Sequence, residues 1–478
     1  MAVLDNIKPE RVMYYFEKLC SVPHGSGNTA AATAICREFA RENDLEYIED
    51  EVGNCVIKKE AYSGYENAPT VIIQGHLDMV CEKEADCDID MEAEGLRLCV
   101  SGDEIFAEGT TLGADDGIAV AMALALLEDK DLPHPAIEAL FTVDEEIGMV
   151  GATAFDTSVL NGRMLINIDS EDEGVFTVSC AGGVVAVCTL PVEREEFDGS
   201  VYKVSITGLK GGHSGAEIDR GRANADVLMG RVLNAVNKSG DMRIVEVNGG
   251  LKDNAIPSSS TAVLVSDFDI TEVVQKFNDV FSHEYIVAED SIKVSSEKIT
   301  SATYMPMDKK STKKVITALC TYPNGIQSMS LEIENLVKTS LNLGILKTEK
   351  DCVTASFCVR SSVFTEKEAL TDRLELITES LGGSMTLEGD YPPWEYMRES
   401  KLRDIMTEVF VKMYDKQPII EAIHAGIECG ILSGTMPGLE CVSIGPDIMD
   451  IHTPSERMSI SSVERVWKYL LEVLKSIK

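Results

Sequence analysis

Three adjacent acids, Asp144, Glu145 and Glu146, end the apolar run in "ALFTVDEEIGMVG". Carboxylates side by side repel and raise one another's pKa unless a cation or a proton neutralises them. A charge run of this kind is ordinarily a solvated turn, so its meaning depends on what the rest of the chain places beside it. "GHLDMV" sets His76 and Asp78 two residues apart, and the alternation of an extended strand points both to one side. "GTTLGADDGIAV" carries Asp115 and Asp116 in a glycine-rich turn ahead of a helical pattern. One aspartate would serve as an N-cap; a second exceeds that need. "NIDSEDEG" adds Asp169 and "IMDIHTPSE" adds His452. Singly, each has an ordinary structural explanation. Together, two imidazoles and several carboxylates make the mixed nitrogen and oxygen donor set that zinc, cobalt or manganese takes. A two-ion hydrolytic centre needs a carboxylate shared by both ions, end ligands for each, and a base for the water, and this inventory supplies them.

These residues need a scaffold that brings them together. Behind an amphipathic helix at about 8–20 come the strand-like runs "NCVIKK", "TVIIQGHLDMV", "AIEALFTV" and "MLINID", with the helical "GIAVAMALALLED" among them. Apolar strands separated by helical patterns predict an α/β domain, its mixed, mostly parallel sheet covered by helices. Ligands collect at the C-terminal strand ends of such sheets, and every suspicious polar group here follows an apolar strand directly. From about 185 the texture changes to "VYKVSITGLKGGHSG", a helix "ANADVLMGRVLNAV", then "NAIPSSSTAVLV" and a helix "TEVVQKFNDVF". A later passage, "SLNLGILKTEKDCVTASFCVRSS" followed by "EKEALTDRLELITESLG", repeats the strand, strand, helix rhythm. "YPPWEY" at 391–396 punctuates a boundary, and "VSIGP" with a last amphipathic helix from about 460 returns to the first pattern. The expectation is a catalytic domain made of 1–184 and 396–478, interrupted by a two-lobed α+β lid domain at 185–395.

Of the 478 residues, 43 are basic and 80 acidic, a formal charge of −37 that repels nucleic acid and anionic membrane surfaces. No apolar run approaches a membrane span of roughly 18 residues and no basic leader precedes an apolar stretch, so a cytoplasmic protein is expected. Thirteen cysteines without CxxC pairing read as reduced thiols, neither a disulfide framework nor a thiolate metal site. "GSGNTA" at 25–30 has dinucleotide-like spacing but follows a helical pattern instead of a strand. "GHSGA" fails as a nucleophile elbow because Ala216 stands where a glycine is required.

In order along the chain, "QGHLDMVCEK", "GTTLGADDGI", "INIDSEDEG", "CAGG", "LKGGHSG", "NAIP", "HAGIECG" and "VSIGP" resemble the bacterial aminoacyl-histidine dipeptidases, a family within the di-zinc aminoacylase and dipeptidase metallopeptidase superfamily. The resemblance runs from the first helix to the last. It implies hydrolysis of Xaa-His and other dipeptides by a water bridged between two divalent ions, zinc foremost, with cobalt or manganese as substitutes. It implies His76, Asp115, Glu146, Asp169 and His452 as metal ligands, with Asp115 as the bridge and Asp116 the lesser candidate. Asp78 would orient His76, Glu145 would be the general base, and His213 of "GGHSG" would support the oxyanion. Asn254, Arg360, His424 and Gly426 match substrate-holding positions; a guanidinium at 360 suits the forked recognition of a C-terminal carboxylate. "NAIPSSS" lacks the charged residues that often follow that motif. A small peptide is the implied partner, with a homodimer possible. The same superfamily holds aminoacylases and deacetylases of N-acyl amino acids, which is the nearest rival function. A non-catalytic metal- or peptide-binding protein on this scaffold would have no use for Glu145.

Overall fold

The computed structural model describes residues 2–299 and 304–478, which cluster into two compact units. The first comprises Met1–Ser179, Tyr396–Ala422 and Ile427–Lys478; the second comprises Cys180–Glu395 and Ile423–Gly426.

An eight-stranded sheet centres the first unit. Its middle strands, Ile137–Thr142, Val71–His76, Met164–Asn167 and Glu440–Ser443, run parallel in that spatial order. The first three are buried along their whole length, the pattern of strands covered on both faces. Cys55–Lys59 and Glu46–Glu49 extend one side antiparallel, and Val175–Cys180 the other. The sheet is therefore mixed and mostly parallel, as its apolar runs require. Beyond Asp115 and Asp116 in its first turn, the helix Ala114–Glu128 is apolar round its circumference and almost wholly buried, so it belongs to the interior. Glu10–Cys20 and Ile460–Ser476 are amphipathic and bury one stripe each, Val12, Met13, Phe16 and Leu19 in the first and Val463, Val466, Leu470 and Val473 in the second.

The second unit repeats one motif, strand, helix, strand, strand, helix, strand. One copy is Ser200–Thr207, Ala225–Ser239, Met242–Gly249, Ser260–Ser266, Thr271–Glu284 and Lys293–Ile299. The other is Gly182–Pro191, Lys309–Thr321, Val337–Thr348, Cys352–Ser361, Phe364–Ser380 and Ser384–Tyr391. In each copy the fourth strand pairs with the first, the first with the third and the third with the second, and the second strands of the copies join at Gly249 and Leu346. The helices Ala225–Ser239 and Lys309–Thr321 touch across this join, where a Cβ on Gly230 would lie 2.7 Å from that of Leu319. Only the first lobe is contiguous in sequence: it is inserted between the first strand and first helix of the second. Gly182–Pro191 pairs with Cys352–Ser361 along its full length, so the second unit begins at Cys180, a few residues before the change of texture at 185. Residues 423–426 also leave the C-terminal segment to join it, because Ala181 N donates to the carbonyls of Ile423 and Ala425, both at 3.1 Å.

Candidate functional site

In the first unit, the C-terminal ends of the parallel strands deliver the donor groups. His76 closes Val71–His76; Leu77 N donates to Thr142 O at 2.8 Å, which sets the "HLD" and "DEE" segments side by side. Asp144 takes a left-handed φ of 56°, tolerable for an aspartate, and turns the chain. The Glu145 and Glu146 amides then donate to Asp78 Oδ1 and Oδ2 at 3.0 and 3.2 Å, and Ser26 Oγ adds a third bond at 2.8 Å. Asp78 is buried, which opposes ionisation, but the neighbouring His76 and these donors hold its carboxyl below the usual range. Its carboxylate thus fastens the acid run, standing 3.5 Å from His76 Nδ1, while the bond that orients the imidazole, 3.0 Å from Nδ1, is to the Asp78 backbone carbonyl.

The other imidazole nitrogen looks into the cluster. His76 Nε2 lies 3.2 Å from Asp115 Oδ1 and 3.6 Å from Asp169 Oδ1. Asp115 Oδ2 lies 3.1 Å from His452 Nε2, which is also 3.0 Å from Glu146 Oε1. Asp115 therefore stands between two imidazoles with one oxygen toward each. Among the described residues, three groups have donor atoms mutually within 4.8 Å: His76, Asp116 and Asp169; His76, Glu145 and Glu146; and Asp115, Glu146 and His452. Asp116 enters the first group by distance, yet its Oδ2 accepts the His76 amide at 3.2 Å, and burial with Asp169 nearby pushes its carboxyl well up toward the neutral form. Asp115 has the opposite balance: burial opposes ionisation, and His452 and His76 overcome it. Of the two aspartates, Asp115 is the one seen with an oxygen near each imidazole.

The surplus of acid shows in the remaining groups. Burial, with Asp169, Glu428 and Glu146 close by, pushes Glu145 up to about 9, against the pull of His76. Burial, with Asp115 and Glu146, moves Asp169 up to about 6 despite His76. Hydrogen bonds to Asp115 and Glu146 raise His452 to about 10, and His76 is raised against its own burial by Asp115, Asp169 and Asp78. Protons here substitute for missing positive charge; a donor set in that condition fits divalent cations.

Two buried glutamates escaped the sequence reading. Glu456 accepts from the amides of Leu112, Gly113 and Ala114 at 2.7, 3.1 and 2.9 Å, tying the His452 loop to the turn that carries Asp115. Glu428 accepts from Gln74 Nε2 at 2.5 Å and Thr142 Oγ1 at 2.6 Å, linking the ends of two central strands, and burial pushes it up to about 7. No spacing rule marks either residue. "HAGIECG" did contain Glu428, and the last residue of "IMDIHTPSE" is Glu456.

The second unit holds a cluster of opposite character. Gly212–His213 pairs antiparallel with Ala255–Ile256, and Ser214 N donates to Asn254 O at 2.8 Å, so "GGHSG" and "NAIP" meet. His213 Nδ1 accepts from the amides of Gly215 and Ala216 at 3.2 and 3.0 Å, which leaves the proton on Nε2. Burial and the charge of Arg360 lower its pKa, so the ring is a neutral donor. Arg360 is 7% exposed, donates to Tyr391 Oη at 3.1 Å, and enters none of the ion pairs among the described residues. His424, also buried, bonds Ser340 Oγ through Nε2 at 2.7 Å, and burial with Arg360 lowers it to about 3. All three converge on Gly215, where a Cβ would lie 3.0 Å from His213 Cε1, 3.2 Å from Arg360 Nε and 2.6 Å from His424 O. "CAGG" has a similar purpose: side chains at Gly182 and Gly183 would collide with Pro393 and Tyr391, the partner of Arg360. Gly426 ends the short strap that carries His424; Asn254 presents an exposed side chain.

The model of peptidase family M20/M25/M40 matches residues 72–476. The cytosol non-specific dipeptidase of Escherichia coli K12 is 34% identical, covering 100% of this chain and 99% of that protein. The crystal structure of aminoacylhistidine dipeptidase from Vibrio alginolyticus superposes with a TM-score of 0.93 at 34% identity, covering 99% of this chain and 98% of that one. An aminopeptidase structure from Bacillus cereus, at 16% identity and a TM-score of 0.56 over 98% of this chain and 99% of its own, shares the fold.

Proposed function

From the premise that the chain belongs to peptidase family M20/M25/M40, we propose that it hydrolyses dipeptides, Xaa-His among them, with two divalent metal ions, most simply zinc. The observation that carries this reading is Asp115, one oxygen toward His76 and the other toward His452. His76 with Asp169, and His452 with Glu146, would complete a coordination sphere on either side of that shared carboxylate. When bound, the ions would polarise the scissile carbonyl and activate water. Glu145, which neighbours the proposed ligand Glu146 and groups with His76, would take the water's proton and pass it to the leaving amine. His213, neutral and protonated on Nε2, donates to the developing oxyanion. Arg360, a buried guanidinium with no acid partner among the described residues, would take the C-terminal carboxylate, with His424 nearby and Asn254 as a further contact from the second unit. The name of the Escherichia coli relative and the absence of any helix long and apolar enough to cross a membrane, among the described residues, support a cytoplasmic location.

Dialysis against a chelator, metal add-back and a dipeptide library assayed beside N-acetyl amino acids test the proposal. Activity indifferent to chelation would end the metal reading. Preference for N-acetyl amino acids would transfer the chain to the aminoacylases.

A further inference from the structure

Against the acidic cluster, wholly within the first unit, lies a cavity of about 690 Å³ that the catalytic scheme leaves unused. Met79, Val80, Cys81, Met91 and Ile147 give it apolar walls, and Glu146 lines it as well. It is a built feature. The segment "GSGN", unassigned by the functional reading, forms one side and is fixed along its length. Gly25 bridges Met79, so closely that a Cβ would lie 2.5 Å from Cys81 Sγ. Ser26 donates to Asp78, Gly27 N to Asp144 Oδ1 at 2.6 Å, and Asn28 Nδ2 to Glu92 O at 2.9 Å.

We propose that this cavity receives the side chain of the dipeptide's amino-terminal residue, favouring long apolar side chains and rejecting acidic ones. The inference rests on the dipeptidase reading. With the C-terminal carboxylate given to Arg360, the amino-terminal residue is the one whose carbonyl is attacked beside Glu146. Its side chain starts one atom from that carbonyl carbon, so a cavity sharing Glu146 with the cluster is the space it meets. Methionine walls adapt to unbranched and branched guests alike. Glu92, which also lines the cavity, places a carboxylate where an aspartyl or glutamyl side chain would have to go.

The test is kcat/KM on dipeptides sharing one C-terminal residue and beginning with Gly, Ala, Leu, Met, Asp or Glu. For Met91→Trp, which narrows the cavity, the loss on leucyl and methionyl dipeptides should exceed the loss on glycyl ones by about ten-fold or more, the scale on which apolar pockets discriminate. Glu92→Lys should raise the rate on aspartyl and glutamyl dipeptides relative to alanyl ones. Equal losses for every amino-terminal residue, or a changed preference at the C-terminal residue instead, would overturn the assignment. A wild-type enzyme that cleaves none of the dipeptides would overturn the dipeptidase reading itself, a result distinct from either.

Discussion

The first unit gathers carboxylates around two imidazoles until burial and mutual repulsion drive Glu145 and Asp169 toward neutrality. The second gathers an arginine and two histidines, with Glu217 at its edge on the His213 amide, and there the histidines give up their charge instead. One cluster is deficient in positive charge and the other in negative. Each is costly without its counter-ion, since buried charge is stable only when paired. On the proposed function the difference matches the guests: cations for the first cluster, a substrate carboxylate for the second.

The sharpest way to break this contrast is within the acid run. Glu145→Gln should keep nearly full metal content while lowering turnover by about two to four decades, the span of a positioned acid or base. Glu146→Ala should instead lose metal. Metal analysis beside steady-state rates decides it, and a reversed pattern would exchange the two roles.

In the second cluster, Arg360→Ala should cost about 2–5 kcal/mol on free dipeptides, as truncating a buried charged partner does, and distinctly less on C-terminally amidated ones. Equal losses on both would make Arg360 structural.

A smaller effect should follow from Glu456→Gln, which weakens the grip on the Asp115 turn without touching a ligand. Metal affinity should fall by about 10- to 100-fold, as it does when groups behind ligands are altered, with the circular dichroism spectrum unchanged. Loss of folded protein would mean Glu456 serves the fold alone.

The proton content of the first cluster offers a further check. His452 without metal holds its proton up to about pH 10, and an ion must displace it. Apparent metal affinity should therefore rise with pH, by about ten-fold per unit for each proton released, and level off above that pKa. Titration calorimetry in buffers of different ionisation enthalpy would count the protons; none released would contradict the charge balance described above.

The mildest change is Tyr391→Phe, which removes one hydrogen bond from Arg360 and should raise KM for free dipeptides by several-fold, about 0.5–1.5 kcal/mol. An unchanged KM would show that the hydroxyl does not position the guanidinium.

Much of the first unit was readable because its central strands are apolar and buried, and polar side chains gather at their ends, so His76, Glu145 and Asp169 stand out by following a run such as "VIIQG" or "LINI". Glu456 and Glu428 gave no such sign. A buried glutamate that accepts backbone amides is spelled like a solvated one, and its partners lie hundreds of positions away. The lobes were visible as a rhythm, but their nesting was not. The change of texture at about 185 falls inside Gly182–Pro191, and its pairing with Cys352–Ser361 reveals which lobe owns that strand. Periodicity reports local burial; it is silent about which distant segment does the burying.

That nesting sets an order of assembly during synthesis. The six elements between Ser200 and Ile299 leave the ribosome as one contiguous block and can pair among themselves at once. The strand Gly182–Pro191, made before them, must wait for Cys352–Ser361, and until then Val184, Val185, Ala186 and Val187 form an apolar edge with neither neighbour present. Nascent chains stalled between about residues 300 and 350 should thus be the ones that chaperones bind and that aggregate when chaperones are scarce, while chains extended past Tyr391 should escape.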